Sequence, residues 1–122
     1  MTDKTLWPSK ANASDMIEQV TLFLGQNNNL NTSTTLYTVF FGINDISASN
    51  TDGAANAPNA AAVLLNQISR LQAAPTNARN FLVLDVYGRG SVKAAGETFK
   101  EAVFAGLRAK KQADSNFKYT YV

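Results

Sequence analysis

A polar turn directly follows an apolar run in the first half of the chain. Residues 36–41 are aromatic, aliphatic and β-branched, which is typical of a strand buried on both faces of a parallel sheet. Gly42 ends the run, and Asn44 and Asp45 follow at once. Because open parallel sheets bind ligands outside the carboxyl ends of their strands, these two polar side chains are candidates for chemistry. The alternative is a turn that only caps the strand, since Asn and Asp favour turns by themselves.

The segment Gly42-Ile43-Asn44-Asp45 resembles the Gly-x-Asn-Asp block of the SGNH hydrolases, the GDSL-type esterases and lipases. Residues 14–24 upstream and residues 80–90 downstream resemble segments of fungal secreted members, in the neighbourhood of carbohydrate esterase family sixteen. The resemblance covers nearly the whole chain, but only the middle of the family's domain. It implies a flavodoxin-like SGNH hydrolase core.

The resemblance gives a role to three residues of this block. Ester hydrolysis passes through an oxyanion, which rigid and neutral hydrogen-bond donors stabilise. Asn44 is by resemblance the oxyanion-hole donor of the third block, and its amide offers two donors that do not titrate. Gly42 lets the backbone turn tightly at the site. Asp45 is expected to be a structural acceptor that holds the turn, not an acid or a base.

Three of the family's four functional blocks have no counterpart in the chain. There is no Gly-Asp-Ser to supply the nucleophile, the Gly of the second block would fall before Met1, and the chain has no His for an Asp-x-x-His block. Residues 1–122 are therefore expected to be an incomplete SGNH hydrolase domain. The resemblance implies a hydrolase of carboxylic esters, a carbohydrate acetylesterase among the options, with a small-molecule or carbohydrate ester as substrate. This chain alone is expected to be inactive.

A second candidate site is Gly88-Arg89-Gly90-Ser91, between a predicted strand and a predicted helix. Glycines at such a junction let backbone N–H groups approach an anion. The pattern lacks the third glycine of the dinucleotide fingerprint and the ending of a P-loop, so a tight turn is the default interpretation. A non-catalytic α/β module that binds an anion or nucleotide at Gly88–Gly90 stays an alternative function, as does a scaffold fragment without activity. Asp85, just before this segment, is expected to shape a pocket rim.

The apolar periodicity predicts the elements that must position these residues. Three helices are expected, at residues 12–24 with Asn12 as N-cap, at 60–71 and at 96–111, and three strands, at 36–41, 81–86 and 117–122. Residues 26–34 and 47–59 are predicted connections, and residues 1–11 an extended surface segment in which Trp7 needs a packing partner. The alternation predicts an α/β protein with a partial doubly wound parallel sheet.

Composition narrows the range of partners. The net charge is +2, and the one local cluster of cations, Arg108, Lys110 and Lys111, falls in the last turn of a predicted helix, where cations complement the helix dipole. A nucleic-acid partner is therefore not expected. The chain has neither Cys nor His, so we expect no disulfide, no metal site and no cofactor.

The sequence also bears on location. No apolar run approaches the ~18 residues that span a membrane, and no apolar segment follows the N-terminal residues as in a signal peptide. The resembling family members are secreted, so the full-length protein is expected to be extracellular. Two N-glycosylation sequons, which begin at Asn12 and Asn31, suit surface positions in a secreted protein.

Overall fold

The computed structural model of the protein describes residues 1–86 and 93–122. Within these residues the chain forms four α-helices, three β-strands and three short 3-10 turns. In chain order the helices and strands are α1 (Met16–Gly25), β1 (Leu36–Val39), α2 (Ile43–Asp52), α3 (Ala57–Gln72), β2 (Asn80–Val83), α4 (Ala94–Ala113) and β3 (Lys118–Tyr121). The 3-10 turns are Lys4–Leu6, Pro8–Lys10 and Ala54–Asn56.

The three strands form one parallel sheet in the order β1-β2-β3. Leu36 pairs with Asn80, which pairs with Lys118, and the remaining three residues of each strand follow in the same register. Parallel neighbours need crossover connections, and here α2 with α3 joins β1 to β2 while α4 joins β2 to β3. The predicted α/β class with a three-stranded parallel sheet is confirmed.

The helices cover one face of this sheet with an aromatic core. Tyr37 of β1 stacks on Phe81 of β2 with ring centroids 5.5 Å apart, and Phe81 packs on Phe117 at 5.3 Å. Phe23 of α1 meets the Tyr37 ring edge-on at 5.9 Å. Phe81 and Phe117 are buried, so these rings give much of the apolar area that folding removes from water.

The opposite face of the sheet is open within the part of the chain that the structure describes. On β1 the Leu36 side chain is 59% exposed and Thr38 is also exposed. The prediction of a strand over residues 36–41 that is buried on both faces is therefore wrong. The strand ends at Val39, and the Phe40 side chain is 53% exposed. An apolar run is compatible with two buried faces, but burial needs covering helices, and the described helices lie on the other side.

The predicted first helix is present, with a different start. Its N-cap is Asp15 and not Asn12, because Asp15 and Glu18 form a reciprocal capping box. The Asp15 carboxylate accepts a hydrogen bond of 2.9 Å from the Glu18 N–H, and it also accepts one of 3.1 Å from the Lys4 N–H. The remaining predicted helices and strands are present with shifts of a few residues at their ends.

The largest error of the sequence-based assignment concerns residues 47–59. They were expected to be a connection, but they contain most of α2, a 3-10 turn and the start of α3, so residues 1–86 and 93–122 form four helices where three were predicted. α2 is rich in Asn, Ser, Thr and Asp, which have low helix propensity. Packing overrides that propensity, since Ile46 and Ala48 of α2 are buried in the core.

The first eleven residues are not an extended surface segment. They contain two 3-10 turns, and the side chains of Thr2 and Trp7 are fully buried. The carbonyl oxygen of Met1 accepts a hydrogen bond of 3.0 Å from the N–H of Met16, at the start of α1. The N-terminal segment, residues 1–10, is therefore part of the packed structure.

Candidate functional site

Gly42 makes the sharp change of direction between β1 and α2. It is the N-cap of α2, with φ of 118° and ψ of −24°, a conformation that side chains disfavour. A Cβ atom at this position would lie 2.6 Å from Cε1 of Phe99 and 2.7 Å from Cγ2 of Val86. Both the backbone conformation and the close packing therefore require glycine, in agreement with the turn role expected of Gly42.

Asn44 lies in the first turn of α2, just beyond the carboxyl end of β1. Its side chain is exposed, and no described residue forms a hydrogen bond with its amide group. Gly42 cannot cap the helix with a side chain, so the first backbone N–H groups of α2 receive no side-chain acceptor from the N-cap residue. The start of α2 is thus a donor-rich position, where a negative charge would be favoured.

Asp45 occupies the next position and is fully buried. Its Oδ1 accepts hydrogen bonds of 2.7 Å from the Thr2 hydroxyl and 2.8 Å from Nε1 of Trp7, and its Oδ2 accepts one of 2.9 Å from the Thr2 N–H. Asp45 was expected from the sequence to hold its own turn. The carboxylate is an acceptor, but its donors come from the N-terminal segment. The only local pattern that pointed to this contact was the need of Trp7 for a packing partner.

Two further contacts attach the N-terminal segment to the last turn of α2 and to the 3-10 turn that follows it. The hydroxyl of Ser9 donates a hydrogen bond of 2.7 Å to Oδ2 of Asp52, in the last turn of the helix. Nδ2 of Asn56 donates one of 2.8 Å to the Leu6 carbonyl oxygen. The N-terminal segment therefore follows α2 from its first turn to its last and positions the helix that carries Asn44.

A second polar contact lies at the carboxyl ends of the strands, between Asp85, which follows β2, and Tyr121 of β3. Oδ1 of Asp85 accepts a hydrogen bond of 3.0 Å from the Tyr121 hydroxyl and one of 2.7 Å from the Val86 N–H. Burial raises the pKa of Tyr121 well above its ordinary value, and the hydrogen bond to Asp85 raises it further. Asp85 was expected to shape a pocket rim, and in the structure it holds the end of β3.

The second candidate site, Gly88-Arg89-Gly90-Ser91, lies outside the described residues. Directly after it, Nζ of Lys93 donates a hydrogen bond of 3.2 Å to Oδ1 of Asn50, which links the start of α4 to α2. The Val86 side chain that touches Gly42 lies just before it. The ends of β1 and β2 are therefore adjacent in space.

The cation cluster of α4 has intramolecular partners. The guanidinium of Arg108 lies 5.8 Å from the ring centroid of Phe104, and Nζ of Lys111 donates a hydrogen bond of 2.7 Å to the Ser115 carbonyl oxygen. Burial lowers the pKa of Lys110, which bonds to side chains of α3. These contacts fit the helix-end role expected from the sequence.

Two concave regions of the surface include neither Gly42 nor Asn44 in their lining. One, of about 260 Å³, is lined by Phe23, Leu24, Asn27, Asn28, Asn29, Pro75 and Thr76. The other, of about 140 Å³, is lined by Met16, Gln19, Val20, Phe23, Tyr37, Thr38, Val39, Phe41 and Leu71. Among residues 1–86 and 93–122, no three acidic side chains come together as a metal would require, and none of the helices has the length and apolarity to cross a membrane.

Comparison with protein-family models, with curated proteins and with solved structures gives no match for this chain. Any inference about function therefore rests on the geometry of the site.

Proposed function

We propose that this chain carries the third block of an SGNH-type carboxylic ester hydrolase, with Asn44 as an oxyanion-hole donor. The observation that supports the proposal is the exposed amide of Asn44 on the uncapped first turn of α2, at the carboxyl end of a parallel strand. That edge is where open parallel sheets bind their ligands.

The chemistry follows from the donors that this turn offers. In ester hydrolysis of this type, a Ser hydroxyl attacks the ester carbonyl carbon, a His accepts the hydroxyl proton, and the carbonyl oxygen becomes an oxyanion. A neutral amide held on a helix can donate to that oxygen without reorganising, which lowers the barrier most when the donor is preorganised. Gly42 and Asp45 preorganise the Asn44 amide because they fix where α2 begins. Gly42 does so through its turn and Asp45 through its buried hydrogen bonds.

The catalytic Ser and His belong to other blocks of the family. The chain has no His, so it cannot supply the base, and a Ser without that base is a weak nucleophile. Purified 122-residue chain is therefore expected to hydrolyse a chromogenic acetate ester no faster than buffer does. The substrate class that fits the proposal is a small-molecule or carbohydrate ester.

The open face of the sheet also supports the proposal. A doubly wound, flavodoxin-like domain has helices on both faces of its sheet, and the second face here exposes Leu36 and Phe40. Elements of a larger domain would cover these side chains. An incomplete SGNH hydrolase domain explains why an apolar strand is exposed on one side.

The test is to read the coding sequence on both sides of this chain. Upstream we expect a signal peptide, a Gly-Asp-Ser after an apolar strand, and a Gly-rich block. Downstream we expect an Asp-x-x-His after a further helix. If neither side encodes these blocks in any frame, with introns allowed, the proposal fails.

A titration with inorganic phosphate separates this proposal from the anion-binding alternative. Saturable shifts of the amide resonances of Gly88 and Gly90, monitored by NMR, would favour an anion site at that segment. The ester hydrolase proposal predicts no saturable change there, because its oxyanion donors lie at the start of α2.

A further inference from the structure

The connection before β1 contains an N-glycosylation sequon, Asn31-Thr32-Ser33, whose first and third residues are in contact. Oδ1 of Asn31 accepts a hydrogen bond of 2.9 Å from the Ser33 N–H and one of 2.7 Å from the Ser33 hydroxyl. The side chain of Asn31 is exposed, and no described residue forms a hydrogen bond with its Nδ2. The described contacts therefore use the oxygen of this amide and not its nitrogen, which is the atom that an N-linked glycan modifies.

The contact between Ser33 and Asn31 is local. Both hydrogen bonds join residues two positions apart, so they can form in a chain that has not yet folded. Glycan transfer acts on such a chain as it enters the secretory pathway. A hydroxyl that donates to Oδ1 draws electron density from the amide and makes the Nδ2 protons more acidic. Because the transfer removes one of these protons, the Ser33 hydroxyl prepares the Asn31 amide for the reaction.

The other sequon, Asn12-Ala13-Ser14, differs in this respect. Asn12 is also exposed, but among the described residues no hydrogen bond joins the Ser14 hydroxyl to its amide. Ala13 packs against the hydrophobic core, and the next residue along the chain, Asp15, is the buried N-cap of α1. The two sequons are therefore alike in exposure and differ in the interaction that prepares the acceptor amide.

The folded protein keeps the Asn31 turn at the surface and away from the candidate site. Nδ2 of Asn80, at the start of β2, donates hydrogen bonds of 3.2 Å to the Thr32 carbonyl oxygen and 3.1 Å to that of Thr35. These bonds attach the turn to the sheet through its main chain. Asn31 precedes the amino end of β1, whereas Asn44 follows its carboxyl end. A glycan on Asn31 is therefore attached at the opposite end of the strand from Asn44.

We propose that Asn31 is an N-glycosylation site and that it is modified in preference to Asn12. The donor is an oligosaccharide joined through its C1 atom to a lipid pyrophosphate. In the transfer, the bond between C1 and the pyrophosphate oxygen breaks, and the pyrophosphate leaves with the electron pair. A bond between C1 and Nδ2 of Asn31 forms, and one Nδ2 proton passes to a base of the transferase. Natural use of the site rests on the secretion that the proposed function implies.

The test is translation of the 122-residue chain, behind an added signal peptide, in the presence of microsomal membranes that carry the transferase. Gel mobility before and after treatment with peptide N-glycosidase shows how many glycans each product carries. We expect the main product to carry a single glycan, which Asn31→Gln removes. The matched control is Asn12→Gln, which makes the same change at the other sequon and should keep the glycan.

Tandem mass spectrometry measures the occupancy of each Asn, because peptide N-glycosidase converts a glycosylated Asn to Asp. No glycan on Asn31, or equal or greater occupancy of Asn12, would overturn the proposal. Since transfer precedes folding and the assay supplies the signal peptide, neither a misfolded variant nor the lack of a natural signal peptide changes the result. An unmodified Asn31 would leave the role proposed for Asn44 intact, and failure of the ester hydrolase proposal would not alter the glycan.

Discussion

Nε1 of Trp7 donates a hydrogen bond of 2.8 Å to Oδ1 of Asp45, and neither side chain is accessible to solvent. The two residues are 38 positions apart in the sequence. A buried carboxylate is costly unless donors surround it, and Thr2 completes the set here. Because Asp45 follows Asn44 in the first turn of α2, the N-terminal segment determines where the candidate oxyanion donor lies.

Trp7→Phe should destabilise the protein by about 2–4 kcal/mol, since it leaves a buried carboxylate short of one donor and removes part of a buried ring system. The free energy of unfolding by urea, followed by circular dichroism, measures the effect. The control is Ser9→Ala, which removes a hydrogen bond between exposed groups on the same segment and should cost about 0.5–1 kcal/mol. Equal losses in the two variants would mean that the Trp7–Asp45 hydrogen bond contributes no more to stability than the exposed Ser9–Asp52 hydrogen bond.

This contact also shows what the sequence could and could not predict. The apolar stripe of α1 and the apolar runs of β1 and β2 are local patterns, and they gave the α/β class and most of the elements. The donors of Asp45 come from residues far away in the chain, and no local pattern identifies them. For the same reason α2 was missed, because its buried side chains and its contacts with the N-terminal segment, not its helix propensity, stabilise it. The position of Gly42 was predicted, since a glycine between a strand and a polar turn has a local signature.

Gly42→Ala is expected to destabilise the protein by about 2–4 kcal/mol, because it combines an unfavourable positive φ with a clash against Phe99 and Val86. The control is Gly25→Ala at the end of α1, where an added Cβ meets no atom within 4 Å. That variant should change stability by less than about 1 kcal/mol. Thermal or urea unfolding of both variants provides the comparison. A Gly42→Ala protein as stable as the Gly25→Ala protein would contradict the packing described at the turn.

Ionisation of Tyr121 should lower the free energy of unfolding as the pH rises above about 10. Its pKa is raised in the folded protein by burial and by Asp85, so the folded state binds the phenolic proton more tightly than the unfolded state. The resulting stabilisation is complete below about pH 10, the ordinary Tyr pKa, and it is lost as pH rises from there through the folded-state value.

The ultraviolet absorbance of tyrosinate, measured against pH on the native protein, tests this prediction. Tyr121→Phe should remove the component that ionises last, and it should reduce the decline in the free energy of unfolding above pH 10. Asp85→Asn should lower the pKa of Tyr121, because the hydroxyl then donates to a neutral acceptor. A titration curve of Asp85→Asn that matches the unsubstituted chain would show that Asp85 does not affect the hydroxyl.

The central claim is that the Asn44 amide stabilises an oxyanion, and kcat of the complete ester hydrolase that we propose measures this most directly. Asn44→Ala should lower kcat by roughly 10²–10³-fold, the usual loss for one oxyanion donor, with little change in KM. Asn29→Ala, which truncates another exposed Asn in the connection before β1, should leave kcat unchanged. If a correctly folded Asn44→Ala enzyme has the same kcat as the unsubstituted enzyme, Asn44 has only a structural role in the turn and the claim is wrong.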